Sequence, residues 1–140
     1  MRRLALVLAV AFGLNAPAHA DEDTPSALDG ARVITAEELR SIMADRSVRI
    51  YDLRKKASFV EGRIPNAINA APHYSEKEKT IDVKGLDPDR NVRVVFYSHG
   101  VTGWKSYFAA KTAVEAGYRN VLWMRGGYQE WEEKHLPIAR

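Results

Sequence analysis

The chain has 140 residues, enough for one domain with its own apolar core and too few for two of ordinary size. Its 21 basic and 18 acidic side chains give a formal net charge of +3, of which Arg2 and Arg3 supply two; no basic run is longer than Arg54-Lys55-Lys56, which excludes a nucleic-acid binder. There is no cysteine, which excludes disulfides, thiolate metal sites and thiol chemistry.

Residues 1–20, MRRLALVLAVAFGLNAPAHA, read as a secretory signal peptide. Two arginines precede an apolar run from Leu4 to Leu14, and Ala18-His19-Ala20 offers a small-x-small cleavage pattern. The run is too short to span a bilayer. The expectation is cleavage after Ala20 and a periplasmic or secreted mature chain without membrane attachment. Without Arg2 and Arg3 that chain carries 19 basic and 18 acidic side chains, close to neutral. Residues 21–31 are acidic, small and turn-forming, a flexible leader before a domain over residues 32–138.

Val33 and Ile34 begin the domain as a short extended segment. Thr35 and Glu38 have the spacing of a capping box, and Leu39, Ile42 and Met43 give the helix that follows one apolar face. Val48 to Leu53 reads as a core strand, Ser58 to Glu61 as a short helical piece, and Gly62 to Ala67 as a turn in which Gly62 and Asn66 tolerate left-handed geometry. One more short strand fits Ala67 to Ala70. His73 to Arg90, with its alternating lysines and glutamates, reads as a solvated surface segment or a short exposed helix.

Val92 to Phe96 is a short, nearly all apolar run interrupted only by Arg93, suited to a strand buried on both faces of a parallel sheet. A loop, Ser98 to Gly103, separates it from a helix over Trp104 to Ala116, with Ala109, Ala110, Ala113, Val114 and Ala116 on one side and Gly117 as its terminator. Trp104 and Phe108 fall toward the polar side, either under a neighbouring loop or free for a protein partner. Val121 to Met124 is a further strand, and Tyr128 to Lys134 an amphipathic segment. Strands alternating with helices predict an α/β domain around a central parallel sheet.

Ligands of such sheets sit at the carboxyl ends of the strands. Ser98, His99, Gly100, Val101, Thr102, Gly103, Trp104, Lys105 and Ser106 are therefore the candidate binding loop. Gly100 and Gly103 let it curl, and inward-facing N–H groups of the loop and the next helix would make an anion cradle. His73, His99 and His135 have no ligand spacing, so no metal and no cofactor is expected.

The segments YDLR (51–54), GRIPNAINA (62–70), VVFYSHG with TGWKSYFAA (94–110), AGYRNVLWMRGGYQEW (116–131) and LPI (136–138), in that order, make the chain resemble a single rhodanese-like domain. The resemblance implies a small α/β domain and, in active members, a cysteine after the central strand that carries a persulfide during sulfur transfer. Ser98 stands at that position. The loop is two residues longer than the common pattern, Lys105 replaces its arginine, and Arg63 stands where a histidine is usual. A few exported members pair a cysteine near the strand with a second before the tryptophan; Ser98 and Gly103 occupy comparable places here.

A serine hydroxyl is not ionised near neutral pH without a dedicated base and does not hold a sulfane sulfur, so sulfur transfer is closed to this chain. Arg54, Arg63, Lys105 and Arg125 are expected at the mouth of the site, with Lys55 and Lys56 adding to the field and Asp52 orienting an arginine or the loop. The sequence thus points to an exported rhodanese-like domain without sulfurtransferase activity, a binding or accessory module for a small oxyanion or an acidic protein segment. The alternative is a Ser98-dependent hydrolase with Asp52 as base. A third reading is a structural partner in a periplasmic complex, contacted through Trp104 and Phe108.

Overall fold

Val94, Val95, Phe96 and Tyr97 are all buried, which in an extended chain requires cover on both faces. In the computed structural model, which describes residues 22–140, they lie in β6 (Arg93–Tyr97) at the centre of a five-stranded sheet. The expected signal peptide lies outside the described residues. The other strands of the sheet are β1 (Ala31–Val33), β2 (Arg49–Asp52), β3 (Ile68–Asn69) and β7 (Asn120–Trp123). Their order is β1-β7-β6-β2-β3, and every pairing is parallel. The fold is thus the α/β arrangement read from the sequence.

Alternation along β6 builds two cores. Val94 and Phe96 face α3 (Trp104–Glu115) and meet its Ala109, Ala110 and Ala113, together with Tyr51, Val121 and Trp123. Val95 and Tyr97 face the other side, where Leu39 of α1 (Ala36–Ile42) and Trp131 of α4 (Gly127–Glu133) close the layer. Small side chains on α3 allow the helix to lie close on the sheet. A short α2 (Lys56–Glu61) follows β2.

Local signals proved accurate. Thr35 caps α1, with the Glu38 N–H donating to Thr35 Oγ1 at 3.1 Å and the Thr35 N–H to Glu38 Oε2 at 2.8 Å. Asn66 adopts a φ of 67° and Gly117 one of 88°. Gly62 is extended instead, at φ 174°. What its missing side chain supplies is space, because a Cβ there would lie 2.6 Å from the Tyr128 hydroxyl.

The segment His73 to Arg90 is not merely solvated surface. It holds an antiparallel hairpin, β4 (Tyr74–Ser75) and β5 (Thr80–Ile81), turned at Lys79 with φ 52°. Ile81 and Leu86 are buried, and Tyr74 and Val83 pack against the α3-side core. Widely spaced single apolar residues do this inward packing, while the charged residues between Tyr74 and Thr80 sit near the tip.

The segment expected as a leader is held down at Thr24, which is only 3% exposed. Its N–H and its Oγ1 both donate to Val101 O, at 2.8 and 2.7 Å, and Arg125 Nη2 donates to Thr24 O at 2.7 Å.

Candidate functional site

Strand β6 ends at Tyr97, and Ser98 begins the loop at the carboxyl edge of the sheet. The start of α4 holds this loop from beneath: the Tyr128 N–H donates to Ser98 O and the Gln129 N–H to His99 O, both at 2.8 Å. That approach needs Gly127, with φ 62°, because a Cβ there would lie 2.6 Å from both Ser98 O and Gly100 N. Gly103 closes the loop against Ser98. A Cβ at position 103 would meet Ser98 Cβ and Gly100 O at 2.8 Å.

The loop borders a cavity of about 550 Å³. Ser98, His99, Thr102, Gly103, Trp104 and Lys105 line it from the loop and the start of α3, Leu53, Arg54 and Lys55 from the end of β2, Tyr74, Glu76 and Lys79 from the hairpin, and Phe108 from α3. Six of the nine residues read as the binding loop therefore line it. Gly100 instead faces Gln129, Val101 presents its carbonyl to Thr24, and Ser106 is buried in the first turn of α3. Ser106 Oγ donates to Gly103 O at 2.8 Å and accepts from Trp123 Nε1 at 3.0 Å, fastening the loop's end to β7.

The backbone cradle is only partly available. The Gly103 N–H donates to Gly100 O at 2.8 Å, the Trp104 N–H to Thr102 O at 3.0 Å, and the Ser106 and Tyr107 N–H groups to Gly103 O. The loop folds onto its own carbonyls, so positive potential at this cavity comes chiefly from side chains. Ser98 is 4% exposed, and among the described residues its hydroxyl has no hydrogen-bond partner. A buried hydroxyl left this way normally meets a water or a ligand.

Asp52 and Arg54 form a buried pair beneath the cavity. Arg54 Nη2 donates to Asp52 Oδ2 at 2.7 Å and to Gly62 O at 2.7 Å, while Arg54 Nε and the Arg54 N–H donate to Asp52 Oδ1. The guanidinium lies 4.0 Å from the Tyr128 ring centroid. Burial works against its charge, but hydrogen bonding and attraction to Asp52 more than offset this and hold Arg54 above the ordinary arginine value. The Tyr97 hydroxyl donates to Asp52 Oδ2 at 2.6 Å; burial, reinforced by the Asp52 charge, pushes Tyr97 well above an ordinary phenol. With both carboxylate oxygens engaged, Asp52 orients Arg54, as the sequence suggests, and is not free to act as a base toward Ser98.

Two expected cations lie elsewhere. Arg63 does not line the cavity: its backbone pairs with Ala139 in both directions and its guanidinium lies over the Phe59 ring at 4.7 Å, so the C-terminal segment draws it away. Arg125 also turns from the mouth, with Nε donating to Thr24 Oγ1 at 3.1 Å and Nη2 to Thr24 O. The hairpin takes their place. Lys79 stands 5.5 Å from the Phe108 centroid, and Lys105 pairs with Glu76 at 2.9 Å while lying 5.8 Å from the Tyr74 centroid. From the sequence, Lys79, Tyr74 and Glu76 fall in the segment expected as solvated surface, not at the site. An aromatic in an otherwise charged segment was the one available signal, at Tyr74.

His99 sits at the rim. The part of its ring shielded from water, followed by repulsion from Arg54 and to a smaller extent Lys105 and Lys55, holds its pKa below the ordinary imidazole value, against the opposing pull of Asp52. Trp104 donates from Nε1 to Glu22 O at 2.9 Å and lies among Tyr107 and Phe108, with ring centroids 5.4 and 5.7 Å away.

Comparison with known proteins agrees with the fold. The model of the Rhodanese-like domain family matches residues 35–134. A sulfurtransferase of Allochromatium vinosum is 33% identical over 107 residues, covering 76% of this chain and 92% of its own. A human single-domain sulfurtransferase superposes with a TM-score of 0.54 at 25% identity, covering 73% of this chain and 96% of that one. The thiosulfate sulfurtransferase of Pseudomonas aeruginosa gives a TM-score of 0.61 at 22% identity, over 79% of this chain and 20% of the larger enzyme.

Proposed function

Because the chain belongs to the rhodanese-like domain family and contains no cysteine, we propose that it lacks sulfurtransferase activity and serves as an exported, periplasmic binding module for a small anion. The observation that carries this reading is the buried Ser98 hydroxyl, unpartnered among the described residues, on a cavity that Lys55, Lys79 and Lys105 also line. Sulfur transfer in relatives needs a thiolate that attacks a sulfur donor and then holds the sulfane sulfur. An alcohol does neither, and no other side chain of this protein supplies a thiol. What the site keeps is positive charge and a hydroxyl donor, the equipment for holding an anion rather than transforming it.

The purified mature chain tests both halves. In a thiosulfate-to-cyanide assay it is expected to give no turnover above buffer; sustained turnover would overturn the loss of activity. Isothermal titration with sulfate, sulfite, thiosulfate and phosphate is expected to show saturable heat with at least one of them. The absence of heat with all of these and with organic anions would overturn the anion-binding half.

A further inference from the structure

Resting on the anion-binding reading above, we propose that the ligand of this cavity is an organic anion, a carboxylate or sulfonate carried on a flat apolar body, rather than a bare inorganic oxyanion. Size is the first argument. At about 550 Å³ the cavity falls in the range that encloses small organic ligands, and a tetrahedral inorganic ion fills only a small part of it.

The walls give the second. Trp104 and Phe108 of α3 stand with ring centroids 5.7 Å apart on one side, Tyr74 of the hairpin also lines the space, and Leu53 adds aliphatic surface. A hydrated inorganic anion gains nothing from such surfaces, whereas a planar ring gains both burial and stacking. Burial, followed by the Glu76 charge, pushes the Tyr74 hydroxyl up to about 12, so it remains a neutral donor at physiological pH.

Charge supplies the third. Lys105 is paired with Glu76, but among the described residues Lys55 and Lys79 have no carboxylate partner. The Lys79 ammonium lies over the Phe108 ring, 5.5 Å from its centroid, and so shares that face of the ring. A ligand whose body packs against Trp104 and the edge of Phe108 while its anionic group meets Lys79 or Ser98 Oγ uses cation and aromatic surface together.

Titration of the mature chain with sulfate, benzenesulfonate, benzoate and benzyl alcohol separates the contributions. Benzenesulfonate or benzoate is expected to bind at least about tenfold more tightly than sulfate, the change that burying one ring brings, and benzyl alcohol at least about tenfold more weakly than the anionic ring compounds. Phe108→Leu, which keeps apolar volume but removes the ring face, is expected to weaken the aromatic anions more than it weakens sulfate and so to narrow the difference between them. Circular dichroism checks that this variant folds. Equal affinity for sulfate and the aromatic anions would overturn the organic-body inference while leaving anion binding intact. Equal affinity for benzyl alcohol would remove the role of charge, and no binding of any anion would defeat both readings.

Discussion

Arg54 and Asp52 show how one contact can serve the fold and the site together. Neither is solvated, and the carboxylate has all its strong donors from Arg54 and Tyr97. Arg54→Leu would strand a buried negative charge, and urea unfolding should report a loss of about 3–5 kcal/mol. The double change with Asp52→Leu should cost less than the two single losses summed, because the stranded charge is gone as well. His99 adds a pH dependence. Its folded pKa lies below the unfolded value, so the unfolded chain binds more protons in this range; the stability tied to His99 is present above the ordinary imidazole value and declines as pH falls through it. An anion in the cavity would offset the Arg54, Lys55 and Lys105 charges and bring the His99 pKa back up, with Asp52 already acting in that direction and Glu132 and Glu133 lining a second depression together with His99. Binding should therefore take up a proton and tighten from pH 8 to pH 6, roughly the span around an unperturbed histidine. Titrations across that span should show the trend, and His99→Gln should flatten it.

The loop from Ser98 to Gly103 is shaped by its neighbours. Its carbonyls at 98 and 99 are held by α4, its carbonyl at 101 by Thr24, and its end by Ser106. Thr24 is the outermost of these ties and stands far away in sequence. Thr24→Val keeps the volume but removes the Oγ1 bonds to Val101 O and from Arg125 Nε. The expected loss is about 1 kcal/mol, with faster hydrogen exchange at the 99–103 amides while the β6 amides stay protected. Unchanged exchange at those amides would mean that the Thr24 hydroxyl is not needed to order the loop. Helix α1 contrasts with this loop: its capping box closes between residues three apart, while the Ala36 N–H, which donates to Glu130 Oε2 of α4 at 2.9 Å, takes a distant partner.

Across the whole molecule, binding and folding should respond differently to salt. Stability rests on two apolar cores covering a parallel sheet, whereas the proposed anion binding would rest on exposed ammonium groups such as Lys55 and Lys79. Raising ionic strength from low salt to about 1 M, where the screening length drops to roughly 3 Å, should weaken anion affinity markedly and leave the thermal unfolding midpoint nearly unchanged. Titration and a melting curve in matched buffers check the two together. By itself the sequence determined the strands of the sheet, the alanine face of α3, the cap of α1 and the placement of Ser98 after the central strand. Those depend on side-chain periodicity and on partners a few residues apart. Only the tertiary structure decided that Lys79 and Tyr74 join the cavity while Arg63 and Arg125 leave it, and that Thr24 anchors the loop. These positions are set by contacts between segments distant in the chain, where a side chain's direction depends on which element packs against it and no local pattern records the choice.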